Sequence, residues 1–274
     1  MSVARFYVGD VFERMAELPD RSVDLIVTSP PFLALRSYLP AGHPNKGKEI
    51  GSEVTPAAFL TTLLALTREW RRILAPHGSI CVELGDTYSG ANGWGDDVGN
   101  ERYPQGRSGG TRSQPTGKGW PLAKSLCLLP TLYPASLAYG WNMLDPADRI
   151  DLWRVRNLIV WHRPNPPVGS LGDKVRPSTS YVTTACVSDK RWFDLDAERG
   201  SIEGPRSGET RNYVGDKRAL NLDGARLGAY TDEMAAAGAP PLDAWFDTAT
   251  PDVWTIPTAP YKGSHYATFP PALP

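Results

Sequence analysis

The chain has 274 residues, 41% of them hydrophobic, enough for one large domain carrying an insertion. Its net charge of -1, from 29 basic and 30 acidic residues, excludes a strongly basic surface and leaves phosphate contacts to local patches. Three widely spaced cysteines (Cys81, Cys127, Cys186) and four scattered histidines (His43, His77, His162, His265) form no metal-ligand spacing and no disulfide framework, so no metal is expected and the compartment read is a reducing cytoplasm. No apolar run is long enough to span a membrane, and Met1-Ser2-Val3-Ala4-Arg5 has no signal-peptide character.

Arg5-Phe6-Tyr7-Val8 reads as a short strand closed by Gly9-Asp10. Val11 to Leu18 has helical spacing, with Asp10 placed as N-cap, and Pro19-Asp20 ends it. Val23 to Thr28 is a continuous apolar strand of the kind buried in a parallel sheet, so the opening reads as a βαβ unit. Pro56 to Leu74 is a strong amphipathic helix, with Phe59, Leu63, Leu66, Trp70 and Ile73 on one face. Pro76-His77-Gly78 stops it, and Ser79 to Leu84 is the next strand, followed by Gly85-Asp86.

Composition then changes. From Ser89 to Trp120 Gly, Ser, Pro, Asn and Arg dominate, which predicts a mobile loop. Its Arg102, Arg107, Arg112 and Lys118 suit an arm closing on a nucleic-acid backbone, and a plain surface excursion is the competing reading. Leu122 to Trp141 reads as helical around Pro130 and Pro134; Asn157 to His162 and Tyr181 to Val187 read as strands. Gly200 to Thr250 is polar and weakly patterned, and Asp252-Val253-Trp254 restores order.

One junction carries chemistry. Strand Val23–Thr28 runs directly into Ser29-Pro30-Pro31-Phe32. An arylamine is a poor nucleophile because its lone pair is delocalised into the ring. Acceptors that take its amino hydrogens favour a pyramidal nitrogen and expose the lone pair. The Pro30 carbonyl and the Ser29 hydroxyl are the candidate acceptors, Pro31 fixes the local φ, and Phe32 offers a stacking face. A methyl sulfonium held in line then reacts through positioning and electrostatics. Strand termination by Pro-Pro is the alternative reading of the same residues.

The ordered segments resemble amino-group DNA methyltransferases of the permuted (beta) type. The resemblance runs from Gly9-Asp10 through Thr28-Ser29-Pro30-Pro31-Phe32, to Arg72-Ile73-Leu74-Ala75-Pro76-His77-Gly78 with Gly85-Asp86-Thr87-Tyr88, to Asn157–Pro166, to Arg176-Pro177-Ser178-Thr179-Ser180-Tyr181 with Trp192-Phe193-Asp194, and to Asp252-Val253-Trp254 with His265–Pro270. It implies an α/β, Rossmann-like, S-adenosylmethionine-dependent methyltransferase fold. Residues 1–195 would form the catalytic domain with the 89–120 loop, 196–250 a target-recognition insert, and 251–274 the start of a cofactor-side segment. It implies methyl transfer from S-adenosyl-L-methionine to the exocyclic amino group of a base flipped from double-stranded DNA. Ser29, where adenine-directed members more often have aspartate, favours cytosine N4 over adenine N6. Catalysis falls to Ser29, Pro30, Pro31 and Phe32; cofactor binding falls to Asp10, Thr28, His265, Phe269 and Pro270, with helix capping the alternative for Asp10 and core packing for Phe269.

Two departures shape the expectation. The family commonly has a glutamate soon after its serine-threonine segment, where this chain reads Tyr181-Val182-Thr183. Its glycine-rich cofactor loop would follow Pro270, and residues 271–274 contain none, so the fold is expected to be incomplete at the C-terminus, with a complementary fragment or second subunit as partner. A restriction endonuclease of the same system is a further expected partner, in a prokaryotic or phage-encoded setting. Action on RNA or protein amides and a non-catalytic DNA-binding subunit are the competing functions.

Overall fold

The computed structural model describes residues 3–35, 37–40, 42–90, 117–166, 175–194 and 252–258. The expected recognition insert, nearly all of the arginine-bearing loop, and His265, Phe269 and Pro270 lie outside them. The chain divides into two units, Met1–Trp192 with Asp252–Pro274, and Phe193–Pro251, and the described helices and strands all belong to the first.

These elements in chain order are α1 (Val11–Ala16), β1 (Val23–Thr28), a 3₁₀ turn (Lys46–Lys48), α2 (Pro56–Ile73), β2 (Leu74–Leu84), α3 (Leu129–Tyr139), β3 (Trp141–Asn142), β4 (Asp145–Arg149), β5 (Arg154–His162), β6 (Thr179–Cys186) and β7 (Val253–Thr255). Five strands form one sheet in the order β1-β2-β6-β5-β7, and β3-β4 form a separate hairpin. β1 and β2 are parallel, as are β5 and β7, while β6 runs antiparallel to both of its neighbours. The architecture is mixed α/β, as the sequence predicts.

α2 forms because Pro56 opens the first turn, Thr55 caps Ala58 N–H, and its apolar residues share one stripe. That stripe buries Phe59, Leu60, Leu63, Leu64 and Trp70 against Ile80, Val82 and Leu84 of β2, with Tyr133 and Leu137 of α3 in the same core. Alternation along β2 therefore sends Ile80, Val82 and Leu84 to the helical face, and Cys81 and Glu83 to the other. Arg72 fastens α1 to α2: it donates to the Met15 and Leu18 carbonyls and pairs with Asp20 and Glu69.

Four predicted elements differ. Residues 5–8 form no strand, and Phe6 and Val8 are each 90% exposed. A strand needs ladder partners, and none of the described residues supplies them; the βαβ unit is instead β1-α2-β2. β1 is the outer strand of the sheet among the described residues, so Leu25 and Val27 are exposed on the face away from the helices. β2 begins at Leu74, before the predicted stop: Val23 pairs with Leu74 and Leu25 with Ser79, and the residues between form a bulge rather than a break. The predicted helix over 122–141 shrinks to α3, because Leu128 takes a left-handed conformation (φ 60°) and Gly140 (φ 82°) ends the helix ahead of the β3-β4 hairpin.

The missed hairpin docks through polar contacts that hydrophobic periodicity does not register. Asp148 accepts from Arg68 and Thr61 of α2 and from Asn142, and these donors hold its carboxyl below the usual range despite burial.

Candidate active site

Because β1, β2, β5 and β7 run in one direction and β6 in the other, one edge of the sheet gathers four strand exits and one strand entry. On that edge lie Ser29–Phe32 after β1, Glu83 to Asp86 at the end of β2, Arg163 and Asn165 after β5, Thr179-Ser180 opening β6, and Ile256–Thr258 after β7. Strand exits in open α/β sheets are where ligands are held.

Ser29 is exposed, and its hydroxyl donates to Glu83 Oε2 at 2.5 Å. Pro30 is buried behind it; Pro31 and Phe32 are half-buried. Two glycines hold the turn. A Cβ on Gly85 would lie 2.6 Å from Cε2 of Phe32, so the Phe32 ring rests directly on the backbone after β2. Gly51 (φ 87°) closes from the other side: a Cβ there would lie 2.7 Å from the Phe32 carbonyl oxygen, and Ala34 N–H donates to Gly51 O at 2.8 Å. The loop after Phe32 is thus folded back onto the turn, where Glu49 accepts from Tyr38 N–H, Leu39 N–H and Lys46.

Glu83 is 5% exposed on the face of β2 away from the helices. Burial raises its pKa above the ordinary carboxylate range, opposed by the Ser29 hydrogen bond and by the nearby Ser180 and Arg163. The Ser180 hydroxyl is buried near this carboxyl without completing a hydrogen bond of ordinary geometry. Arg163 is itself desolvated, which lowers its pKa, while Glu83 opposes that shift. It donates from Nη2 to Thr179 O at 2.9 Å, sits 5.4 Å from the Trp161 ring centroid, and has a buried Nε with no hydrogen-bond partner. Because Glu83 binds its proton more readily in the folded chain, the stability it contributes is full below the unfolded pKa and falls as pH rises through the folded one.

The neighbouring segments lock to one another. Trp161 Nε1 donates to Ile256 O at 2.8 Å, and Asn165 exchanges hydrogen bonds with Thr258. His162 Nδ1 lies 3.4 Å from Thr255 Oγ1, a contact that serves the β5-β7 pairing. Asp86 makes a turn contact to Thr87 N–H and also accepts from Leu128 N–H and Leu129 N–H, so it satisfies the start of α3 across 42 residues of sequence. Asp86→Ala is expected to destabilise the chain by about 2 kcal/mol, as loss of a helix cap does; urea unfolding measures it, and an unchanged midpoint would contradict this role.

Of the residues proposed from sequence for the cofactor, Thr28 ends β1 opposite Val82. Asp10 accepts from Phe12 N–H (3.0 Å) and Glu13 N–H (3.3 Å) through Oδ1 alone, so it caps α1 and leaves Oδ2 as an acceptor. That open oxygen fits a ligand bearing hydroxyl or amino donors. Sequence reasoning missed Glu83 and Arg163. The available signal was a lone carboxylate inside the apolar run Ser79–Leu84.

The model of the DNA methylase family, covering N6 and N4 methylases, matches residues 23–274. The chain is 28% identical over 230 residues to the Type II methyltransferase M.SfiI of Streptomyces fimbriatus, covering 77% of this chain and 47% of that protein. It is 27% identical over 268 residues to the Type II methyltransferase M.XycI of Xanthomonas campestris pv. cyanopsidis, covering 97% and 69%. Among solved structures it is similar to the PvuII DNA methyltransferase (cytosine-N4-specific), at 14% identity and a TM-score of 0.45, covering 94% of this chain and 58% of that one. The chain thus spans about half the length of M.SfiI.

Proposed function

This chain belongs to the DNA methylase family, and on that premise we propose that it transfers a methyl group from S-adenosyl-L-methionine to the exocyclic amino group of a base flipped from double-stranded DNA, with cytosine N4 favoured over adenine N6. The observation that carries the reading is the rim of the sheet, where an exposed Ser29 leads into Pro30-Pro31-Phe32 and Phe32 is backed by Gly85. Asp10, Thr28, His265, Phe269 and Pro270 would hold the cofactor, which supplies an activated methyl group when bound.

The chain's own residues do the rest. Ser29 Oγ and the Pro30 carbonyl accept the amino hydrogens and localise the nitrogen lone pair. Phe32 provides the face on which the flipped base stacks, at a cost of a few kcal/mol for leaving the duplex. Ser29 supports cytosine as the target. Base specificity is read by digesting duplex DNA methylated by the full chain and separating nucleosides by mass spectrometry. N4-methylcytosine is expected; N6-methyladenine would reverse the base assignment, and methylated RNA or protein in place of DNA would overturn the reading. Double-stranded DNA is the substrate partner in this proposal; the complementary fragment or second subunit and a restriction endonuclease sharing the DNA site belong to it too. Calorimetry with S-adenosylmethionine separates it from a non-catalytic DNA-binding subunit, for which no heat is expected from the chain alone or mixed with candidate partners. No helix among the described residues is long and apolar enough to cross a membrane.

A further inference from the structure

We propose that Tyr38 is a gap-filling residue: it enters the space that the target base leaves in the duplex and stacks on the neighbouring base pairs while that base is held at Ser29–Phe32. The inference rests on the reading above, that the chain acts on a base flipped from double-stranded DNA. A flipped base leaves its neighbours without a stacking surface, and the duplex closes again unless something occupies the space. A flat ring presented on a rigid support is suited to that place.

The described residues between Leu33 and Gly51 form such a support. Both stems of this loop are fastened to the core and to the turn after β1. Leu33 is buried, Ile50 packs against the same core, Ala34 N–H donates to Gly51 O at 2.8 Å, and a Cβ on Gly51 would lie 2.7 Å from the Phe32 carbonyl oxygen. Between the stems, Glu49 accepts from the Tyr38 and Leu39 N–H groups and pairs with Lys46, which also donates to Ser37 Oγ and to Leu39 O at 2.7 Å. The Glu49 side chain is 5% exposed, so its carboxylate serves the backbone of residues 37–39 rather than solvent. The span carrying Tyr38 is therefore held in place relative to Phe32, six residues earlier, and needs no ordering when DNA binds.

What this support presents is a ring. Tyr38 and Leu35 are each 45% exposed. Leu35 N–H donates to Phe32 O, which keeps that residue beside the turn, while Tyr38 stands three residues further along, on the span braced by Glu49. Both lysines of the loop are engaged with carboxylates, Lys46 with Glu49 and Lys48 with Glu13 of α1 at 3.2 Å. Among its described residues the loop thus offers aromatic and aliphatic surface rather than unpaired lysine charge for phosphates. Phosphate contacts position a duplex, whereas a ring acts on the base stack. Phe32 and Tyr38 then divide the work on one rigid segment: Phe32 meets the base outside the helix, and Tyr38 fills the place it left.

Two measurements on the full chain test this. The first needs neither cofactor nor recognition site: fluorescence anisotropy compares binding to a mixed-sequence duplex and to the same duplex with one abasic position, a gap already open. Wild type and Tyr38→Phe are expected to prefer the abasic duplex by about tenfold, the size of one base–aromatic stack, and Tyr38→Ala to bind both alike. The second is kcat/KM for methyl transfer at the methylated position, in a matched duplex and in one where the target base is mismatched. Tyr38→Ala is expected to lower the matched rate by about tenfold to a hundredfold and the mismatched rate by less than about threefold, because a mismatched base leaves the stack at little cost. Tyr38→Phe should keep both rates. Lys46→Met, which loosens the brace and leaves the ring, is expected to show the same pattern with smaller losses, and the Tyr38→Ala, Lys46→Met double variant to be no slower than Tyr38→Ala, because the lysine acts through the tyrosine. No abasic preference in wild type, a preference kept by Tyr38→Ala, or equal losses on matched and mismatched duplexes would overturn the gap-filling role and leave the methyltransferase reading standing. No DNA binding and no methyl transfer by the wild-type chain, with or without a candidate partner, would overturn both.

Discussion

Ser29→Ala is expected to lower methyl transfer to duplex DNA by about a hundredfold or more, a loss of the size seen when one preorganised hydrogen-bonding group is removed from an active site. Stability should change far less. The variant leaves Glu83 Oε2 without its donor, at a cost of about 1 kcal/mol, and the carboxyl answers by holding its proton more tightly. The activity loss should therefore greatly exceed what the small change in melting temperature explains. Steady-state kinetics on the full chain measure it. A variant that turns over at the wild-type rate would remove Ser29 from the chemistry and leave only a strand-terminating role for the motif.

The second large effect is expected at Phe32, and Gly85 offers an independent way to reach it. Phe32→Ala removes the stacking face and should reduce turnover by about tenfold to a hundredfold, equivalent to the 1–3 kcal/mol that one base–aromatic stack contributes. Gly85→Ala leaves the ring intact but places a Cβ 2.6 Å from Cε2, so the ring must move. If Phe32 stacks on the base, both variants should lose activity and both should weaken the fluorescence increase of a flipped 2-aminopurine at the target position. If Phe32 only packs the turn, Gly85→Ala should lower the melting temperature and leave both readouts near wild type.

Much of the frame was legible because local and tertiary demands coincide there. The stripe of α2 and the alternation of β2 are written in residue order, and the core assembles from them as periodicity predicts. The Asp10 cap is equally local, since its two bonds reach only two and three residues along the chain. The exits of the parallel strands follow from β1-α2-β2 connectivity, which places Ser29-Pro30-Pro31-Phe32 on the edge of the sheet where β1 and β2 end.

Illegible features depend on partners distant in sequence. Residues 5–8 have the composition of a strand, yet strand formation needs a neighbour, and no pattern within the segment says whether one is present. The β3-β4 hairpin is polar and docks by Asp148, so hydrophobic period carries no trace of it. Asp86 reads as a turn residue and is one, but its larger task is to cap a helix whose start lies 42 positions further along the chain.

The sequence by itself determined the turn proposed for the chemistry: a small hydroxyl, two prolines and an aromatic ring at a strand's end, in a chain that belongs to the DNA methylases. Tertiary structure alone decided how that hydroxyl is aimed. Ser29 and Glu83 are 54 positions apart, and they meet because parallel pairing of β1 with β2 sets Thr28 beside Val82 and brings the next residues to one rim. Hydrogen-bond direction depends on which groups share a space, and chain order cannot encode that until the sheet has formed.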